Sequence, residues 1–165
     1  MLLFNRYAGN GRSKMSEEHL AVRRIKEGTV IDHIDPGEAL RVLSALGVTG
    51  HNGNLVTIAM NVSSSKLKGK DVIKVENRFL EANETNKIAL IASHATVNII
   101  RNFKVVEKRK VHLPDALEDV FSCPNPTCIS NSGEPLKPFL RVIARNPPKL
   151  QCKYCMKILK PEELL

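Results

Sequence analysis

A chain of 165 residues with 42% hydrophobic content has the length for one ordinary domain, or a medium domain plus a small cross-linked one. That content is enough to bury a core, which excludes global disorder. No apolar run approaches the ~20 residues of a membrane-crossing helix. The formal charge of +8 is uneven: residues 1–110 hold 18 Lys and Arg against 11 Asp and Glu, and residues 111–165 hold 7 against 6. The positive field therefore belongs to the N-terminal part, where an anion is expected to bind. The nearly neutral C-terminal part argues against a grip on nucleic acid through phosphate contacts.

Residues 1–15 show no hydrophobic period and are expected to form a disordered tail. Met1-Leu-Leu-Phe is too short for the core of a signal peptide, and Met15-Ser-Glu-Glu is a candidate alternative start. From Leu20 the pattern becomes regular. Leu20, Val22, Ile25, Val30, Ile31 and Ile34 belong to an extended stretch broken at Gly28, which suggests a bent or bulged strand. Asp35-Pro36-Gly37-Glu38 reads as a helix start, with Asp35 as N-cap and Glu38 completing a capping box. Ala39, Leu43 and Leu46, with Leu40 and Val42 beside them, form the apolar stripe, and Gly47 ends it. Leu55 to Val62 alternates, placing Val56, Ile58, Met60 and Val62 on one face. A polar loop, Ser63 to Lys70, leads to a strand from Asp71 to Asn77 with Ile73 and Val75 inward. A second helix is expected from about Glu84 to Ala92, then β-rich runs at Ala95–Arg101 and Phe103–Arg109. The order β-α-β-β-α-β-β predicts an α+β fold: a ferredoxin-like antiparallel sheet with both helices on one face and one extra strand. Leu113-Pro114-Asp115 marks a linker, so residues 16–112 and 113–165 are expected to be separate domains. Phe139–Arg145 is the clearest strand of the second, a small β-rich unit.

The four cysteines all lie in that second unit, as Cys123-Pro-Asn-Pro-Thr-Cys128 and Cys152-Lys-Tyr-Cys155, with 23 residues between the pairs. Two turn-borne pairs of thiolates can close a tetrahedron around one structural Zn²⁺ and leave no position for a substrate. The competing readings are two disulfides, buried thiols packed as small apolar residues, or a redox-active Cys152-x-x-Cys155 pair. Disulfides fit poorly with a chain lacking a secretory signal. A redox pair would call for a thioredoxin-like βαβ context that the pattern does not provide.

Elsewhere, Lys66, Lys68, Lys70 and Lys74 fall within nine residues, and Lys104, Lys108, Arg109 and Lys110 cluster at the end of the fifth strand. Such lysines suit a phosphorylated ligand, although lysines also protect exposed sheet edges. Asp32 and His33 form a polar pair inside an apolar stretch. Catalysis finds little support: the five histidines (His19, His33, His51, His94, His112) are scattered, and there is no HExxH, nucleophile elbow, GxGxxG or P-loop. A phosphate-binding surface without nucleophile or base suggests a ligand sensor.

Several blocks carry a resemblance. They are Gly28-Thr-Val-Ile-Asp-His-Ile34, Lys70-Asp-Val-Ile-Lys-Val-Glu-Asn77, Ala95-Thr-Val-Asn98, Cys123-Pro-Asn, Cys128-Ile-Ser130 and Cys152-Lys-Tyr-Cys155. From about Leu20 to the C-terminus the sequence resembles the regulatory chain of aspartate carbamoyltransferase. The resemblance implies a non-catalytic, cytoplasmic subunit of pyrimidine biosynthesis. It implies an N-terminal domain that binds CTP- or ATP-type effectors and self-dimerises, and a zinc domain that docks on catalytic chains. Nucleic acid and membranes are not implied as partners. Carried over by position, the effector site comprises Val22, Arg23, Arg24, Ile25, Val30, Asp32, His33, Lys70, Lys74, Phe103, Val105 and Lys108. The metal ligands are Cys123, Cys128, Cys152 and Cys155. In that reading Lys108 and Lys70 face the phosphates, Lys74 and Asp32 the sugar and base, and the backbone around Arg24 the base edge. The family pattern often has an acidic residue at Arg23, a small one at Arg24 and a tyrosine at Phe103. These departures bear on base selectivity. The rival class is a zinc-ribbon nucleic-acid-binding protein. It is disfavoured by the placement of charge and by only 4% aromatic residues with no tryptophan, since stacking platforms need exposed rings. A metal-dependent enzyme would need an open coordination position.

Overall fold

The structure, a computed structural model, describes residues 24–63 and 68–165. The tail, Leu20, Val22, Arg23 and Lys66 lie outside the described residues. The first sheet has strands β1 (Gly28–Ile34), β2 (Val56–Val62), β3 (Lys70–Glu76), β4 (Thr96–Arg101) and β5 (Lys104–Lys110). It is antiparallel throughout, in the order β2-β3-β1-β4-β5. Helices α1 (Ala39–Ala45) and α2 (Ala82–Ala89) follow β1 and β3, giving the expected ferredoxin-like arrangement with β5 as the added edge strand.

Strand alternation divides the sheet into two faces. Thr29 and Ile31 of β1 pair with Val75 and Ile73 of β3 and with Ile99 and Val97 of β4. Ile31, Ile73, Val75 and Val97 are fully buried in one cluster with Val42 of α1 and Ile88 of α2. Each such side chain contributes roughly 1.5–3 kcal/mol through burial. Helices of seven and eight residues are too short to persist alone in water, so this packing is what holds them. The other face carries Val30, Lys74 and Asn98, which stand in one row across β3, β1 and β4. No helix α1 or α2 residue packs there, and a groove is left.

Four local expectations are corrected. The first concerns the start of α1, which begins at Ala39 rather than inside Asp35–Glu38. Asp35–Glu38 closes as a turn, with the Glu38 N–H donating to the Asp35 carbonyl at 3.1 Å. No side-chain cap comes from the helix's own N-terminus. The fully buried Asp71 of β3 supplies it instead: Oδ2 accepts from the N–H groups of Gly37 (2.8 Å) and Ala39 (3.2 Å), and Oδ1 from that of Asn61 (2.8 Å). Second, the irregularity of β1 falls between Ile31 and Ile34, where His33 adopts φ 61°, and not at Gly28. Gly28 opens the strand at φ 135°, and a Cβ there would lie 2.2 Å from the Val75 carbonyl oxygen, so only glycine fits. Third, Val56, Ile58, Met60 and Val62 do not all share one face: Val56 and Ile58 stand opposite Val75 and Ile73, but the register shifts between Ala59 and Val62 and brings Val62 opposite Lys70. Ile58 and Met60 are 38% and 46% exposed on this outermost strand. Helix α2 starts two residues before the expected position, where the Glu81 N–H donates to Glu84 at 3.0 Å.

The second sheet runs β6 (Ala116–Glu118), β7 (Phe139–Arg145), β8 (Pro148–Cys152) and β9 (Ile158–Leu159), in that spatial order and antiparallel. Leu117, Leu140, Leu150 and Leu159 form its buried side. The segment between the sheets is pinned at several points. The Val111 N–H donates to the Ala95 carbonyl (2.9 Å) and the Val142 N–H to the Asp115 carbonyl (2.9 Å). Arg145 of β7 donates to both the Leu113 carbonyl and the Asp115 carboxylate. Val111, Leu113 and Leu117 are buried within one cluster that runs through both sheets. No helix among the described residues is long and apolar enough to cross a membrane.

Candidate metal centre and anion groove

Two loops bring the thiols together. Cys123 and Cys128 lie between β6 and β7; Cys152 ends β8 and Cys155 lies in the turn before β9. The four sulfurs lie within 4.8 Å of one another. Cys123 Sγ is 3.6 Å from Cys155 Sγ, and Cys128 Sγ is 3.7 Å from Cys152 Sγ. A tetrahedron with Zn–S bonds of about 2.3 Å has edges of about 3.8 Å, so the spacing is that of a ZnS₄ centre. It is far from the ~2 Å of a disulfide, and all four cysteines are free. They hold one structural zinc ion.

The surrounding groups fix this geometry. Asn131 donates through Nδ2 to the carbonyls of Cys123 (2.7 Å) and Asn125 (2.8 Å), closing the first knuckle. Ser130 Oγ lies 3.2 Å from Cys128 Sγ. The Lys157 backbone N–H, with help from the Asn125 side chain, brings the Cys155 thiol down to about 6, so this thiolate forms near neutrality. Burial pushes the Cys123 thiol up to about 12. Neighbouring thiolates at these distances repel one another, and a divalent cation is what allows all four to ionise. With four sulfur ligands the shell is complete and no site for a substrate remains.

The groove on the open face of the first sheet has a volume of about 370 Å³, within the range of small-ligand clefts. It brings together Arg24, Ile25, Val30, Asp32, Lys74, Phe103, Val105 and Lys108 from the expected set. The register explains why: Lys74, Val30, Asn98 and Lys108 are successive cross-strand partners on β3, β1, β4 and β5. Asn98 and Ile100 also line it. Sequence reasoning missed them, although the alternation of β4 would have placed both opposite the buried Val97 and Ile99. Two expected residues sit apart from the lining. Lys70 Nζ is held 2.7 Å from Asp32 Oδ1. His33 donates its backbone N–H to Asp32 Oδ1 at 2.7 Å, while its buried Nδ1, 3.4 Å from Asp32 Oδ2, has no hydrogen-bond partner. Asp32 is therefore the hub between the groove and the Lys70 side. Burial lowers the Lys74 ammonium below its ordinary value, partly offset by Asp32.

A five-stranded α+β unit with a cationic groove on its open face, joined to a small β unit built on four clustered thiolates, defines a two-unit zinc protein. Residues 20–112 match the family described as aspartate carbamoyltransferase regulatory chain, allosteric domain. Residues 115–165 match the metal binding domain of the same chain. Regulatory chains of aspartate carbamoyltransferase from Cenarchaeum symbiosum and Nitrosopumilus maritimus are 56% identical over 145 residues and 50% identical over 150 residues. These alignments cover 88% and 91% of this chain and 95% and 98% of the relatives. The regulatory chain from Methanothrix thermoacetophila is 55% identical over 141 residues, covering 86% of this chain and 92% of its own. The chain belongs to the aspartate carbamoyltransferase regulatory-chain family, as a non-catalytic subunit with an allosteric and a metal-binding domain.

Proposed function

We propose that the groove is the effector site and binds a nucleoside triphosphate, with residues 16–112 as the sensing domain and residues 113–165 as the module that docks on catalytic chains. The observation that carries this is the row of Lys74 and Lys108 flanking Val30 and Asn98 on a sheet face left open by both helices. The two ammonium groups stand on β3 and β5 with β1 and β4 between them; placed on either side of the groove they suit a phosphate chain, and the Asp32 carboxylate offers an acceptor to a ribose hydroxyl. Val22 and Arg23 complete the site in this reading, with Lys70 and His33 joining the phosphates once Asp32 turns to the ligand.

The subunit also pairs with a second copy of itself through the first domain. Support comes from β2, an edge strand carrying exposed Ile58 and Met60, and from Leu40 on α1, 59% exposed. Such apolar groups on a free edge favour association. The zinc unit presents Ile129, Ile143, Met156 and Ile158, all more than 40% exposed, a surface suited to the catalytic chains. A role in pyrimidine biosynthesis places the assembly in the cytoplasm. Equilibrium titration of the full-length chain with CTP and ATP tests the effector site. Wild type is expected to bind at micromolar to submillimolar concentration and Lys108→Ala at least tenfold more weakly, the loss for one charge-assisted contact. Equal affinity in both proteins would rule out this groove.

A further inference from the structure

We infer that Asn52 is a site of spontaneous covalent modification: the Gly53 backbone nitrogen attacks the Asn52 side-chain amide, leaving an aspartate or isoaspartate in the loop that feeds β2. This chemistry is independent of any nucleotide in the groove.

The loop between α1 and β2 is open at its tip. Its glycines Gly47, Gly50 and Gly53 adopt φ 61°, 76° and 73°, and a Cβ on any of them would meet nothing within 4 Å. His51 and Asn52 form the turn, and residues 49–53 are all exposed. Among the described residues, no partner of standard hydrogen-bond geometry holds the Gly53 N–H or the Asn52 side chain. Both reacting groups are therefore free to meet.

The attack closes a five-membered ring, so the two groups are kept close by the chain itself. Glycine adds no side chain to crowd the nitrogen and leaves the backbone free to turn. The bond from the Gly53 nitrogen to Asn52 Cγ forms as the bond from Cγ to the side-chain nitrogen breaks. The proton of the Gly53 N–H leaves with the amine as ammonia. Water then opens the succinimide. Opening at the side-chain carbonyl gives aspartate, and opening at the backbone carbonyl gives isoaspartate, whose main chain is one carbon longer. No oxidant, metal or cofactor enters the balance. Either product exchanges a neutral amide for a carboxylate.

The other described asparagines are protected. Asn125 and Asn146 precede proline, which has no N–H. Asn131 precedes the small Ser132, yet its Nδ2 donates to the Cys123 and Asn125 carbonyls, and the Ser132 N–H donates to the Ile129 carbonyl at 3.2 Å. Asn54 donates through Nδ2 to the Glu76 carbonyl at 2.7 Å. The rest precede long, branched or aromatic side chains. Beyond the loop, the Glu76 N–H donates to the Leu55 carbonyl at 2.9 Å. These two bonds to Glu76 anchor the entry to β2, so the sheet edge gains a charge without losing the strand.

The test incubates the full-length, zinc-loaded chain at neutral and alkaline pH. The readouts are isoelectric focusing, tryptic mapping by mass spectrometry, and methyl labelling by a protein-isoaspartate O-methyltransferase with S-adenosylmethionine. Asn10-Gly11, outside the described residues, is the same dipeptide, but it falls in tryptic peptide 7–12 while Asn52 falls in 42–66. Peptide 42–66 is expected to exchange ammonia for water at Asn52 and to take up label, faster at alkaline pH because the nitrogen attacks in its deprotonated form. Asn52→Ala should abolish both signals in that peptide. Asn52→Gln, which must close a six-membered ring, should slow the exchange about tenfold or more. Peptide 42–66 unchanged in mass overturns the inference. So does conversion of Asn54, Asn61 or Asn131 as fast as that of Asn52, or conversion of the Asn52→Gln chain at the wild-type rate.

Discussion

Asp71, near the start of β3, caps a helix that starts 32 residues earlier: its Oδ2 accepts from the Ala39 N–H at 3.2 Å. The same carboxylate takes the Gly37 and Asn61 N–H groups, so one buried side chain joins β2, β3 and α1. Removing it takes the acceptor from three backbone donors, the Ala39 N–H buried and the Gly37 and Asn61 N–H groups part-buried. Asp71→Ala should lose about 3 kcal/mol or more of unfolding free energy, and Asp71→Asn less, because it keeps one carbonyl oxygen. Urea denaturation followed by circular dichroism measures both. A loss below about 1 kcal/mol for Asp71→Ala would show that the cap is dispensable.

Lys74 gives the groove a pH dependence. Burial lowers its ammonium below 10.5, and Asp32 only partly restores it. A triphosphate needs the charged form, so affinity is present below this lowered value and declines as pH rises through it. The decline should start at lower pH than an ordinary lysine would give. Lys74→Arg, which stays protonated, should move that decline to higher pH. Titrations across pH 7 to 10 compare the two, and superimposable profiles would remove Lys74 from the phosphate contacts.

Structural zinc in small sites contributes on the order of 10 kcal/mol of folding free energy. Chelation, or Cys123→Ala, is expected to release the metal and unfold the second sheet. Elemental analysis should fall from one zinc per chain to none, and protease resistance of residues 116–165 should be lost. Triphosphate affinity should change little, since none of the groove residues lies beyond Lys108.

Arg145 holds the connection between the sheets by gripping Leu113 and Asp115. Its partner Asp115 is 99% exposed, so the ion pair adds little stability, and the effect should be local. Arg145→Ala is expected to raise amide exchange at Leu113–Leu117 at least several-fold while zinc content and effector affinity stay unchanged. Unaltered exchange would mean that the buried Leu113 and Leu117 hold the segment without it.

Most of the architecture was legible in the chain because two periodicities are clean. The alternation in Gly28–Ile34 and Lys70–Glu76 marks a sheet with one buried face, and the cysteine spacing marks the metal. The misses have a common cause, which is that they depend on partners distant in sequence. Asp35 carries the local signature of a cap, yet Asp71 out-competes it from another strand. Leu55 to Val62 alternates along its length, yet a register shift against β3 between Ala59 and Val62 turns Val62 to the other face. Asn98 gives no signal of its own; only the pairing of β1 with β4 brings it beside Val30. The lysine cluster at 66–74 was less informative than its density suggested, because Lys70 is held by Asp32 while Lys74 reaches the groove.

The central claim is that a triphosphate bound on the first sheet is reported to catalytic chains held by the zinc unit. Its most direct test mixes the zinc-loaded chain with its cognate catalytic chains. Assembly is followed by sedimentation and carbamoyltransferase activity at subsaturating aspartate, with and without CTP, ATP or UTP. The account predicts a mixed complex whose activity shifts with at least one triphosphate, a shift abolished by Lys108→Ala while assembly persists. A complex that fails to form with zinc bound, or one whose activity ignores every triphosphate, would contradict it.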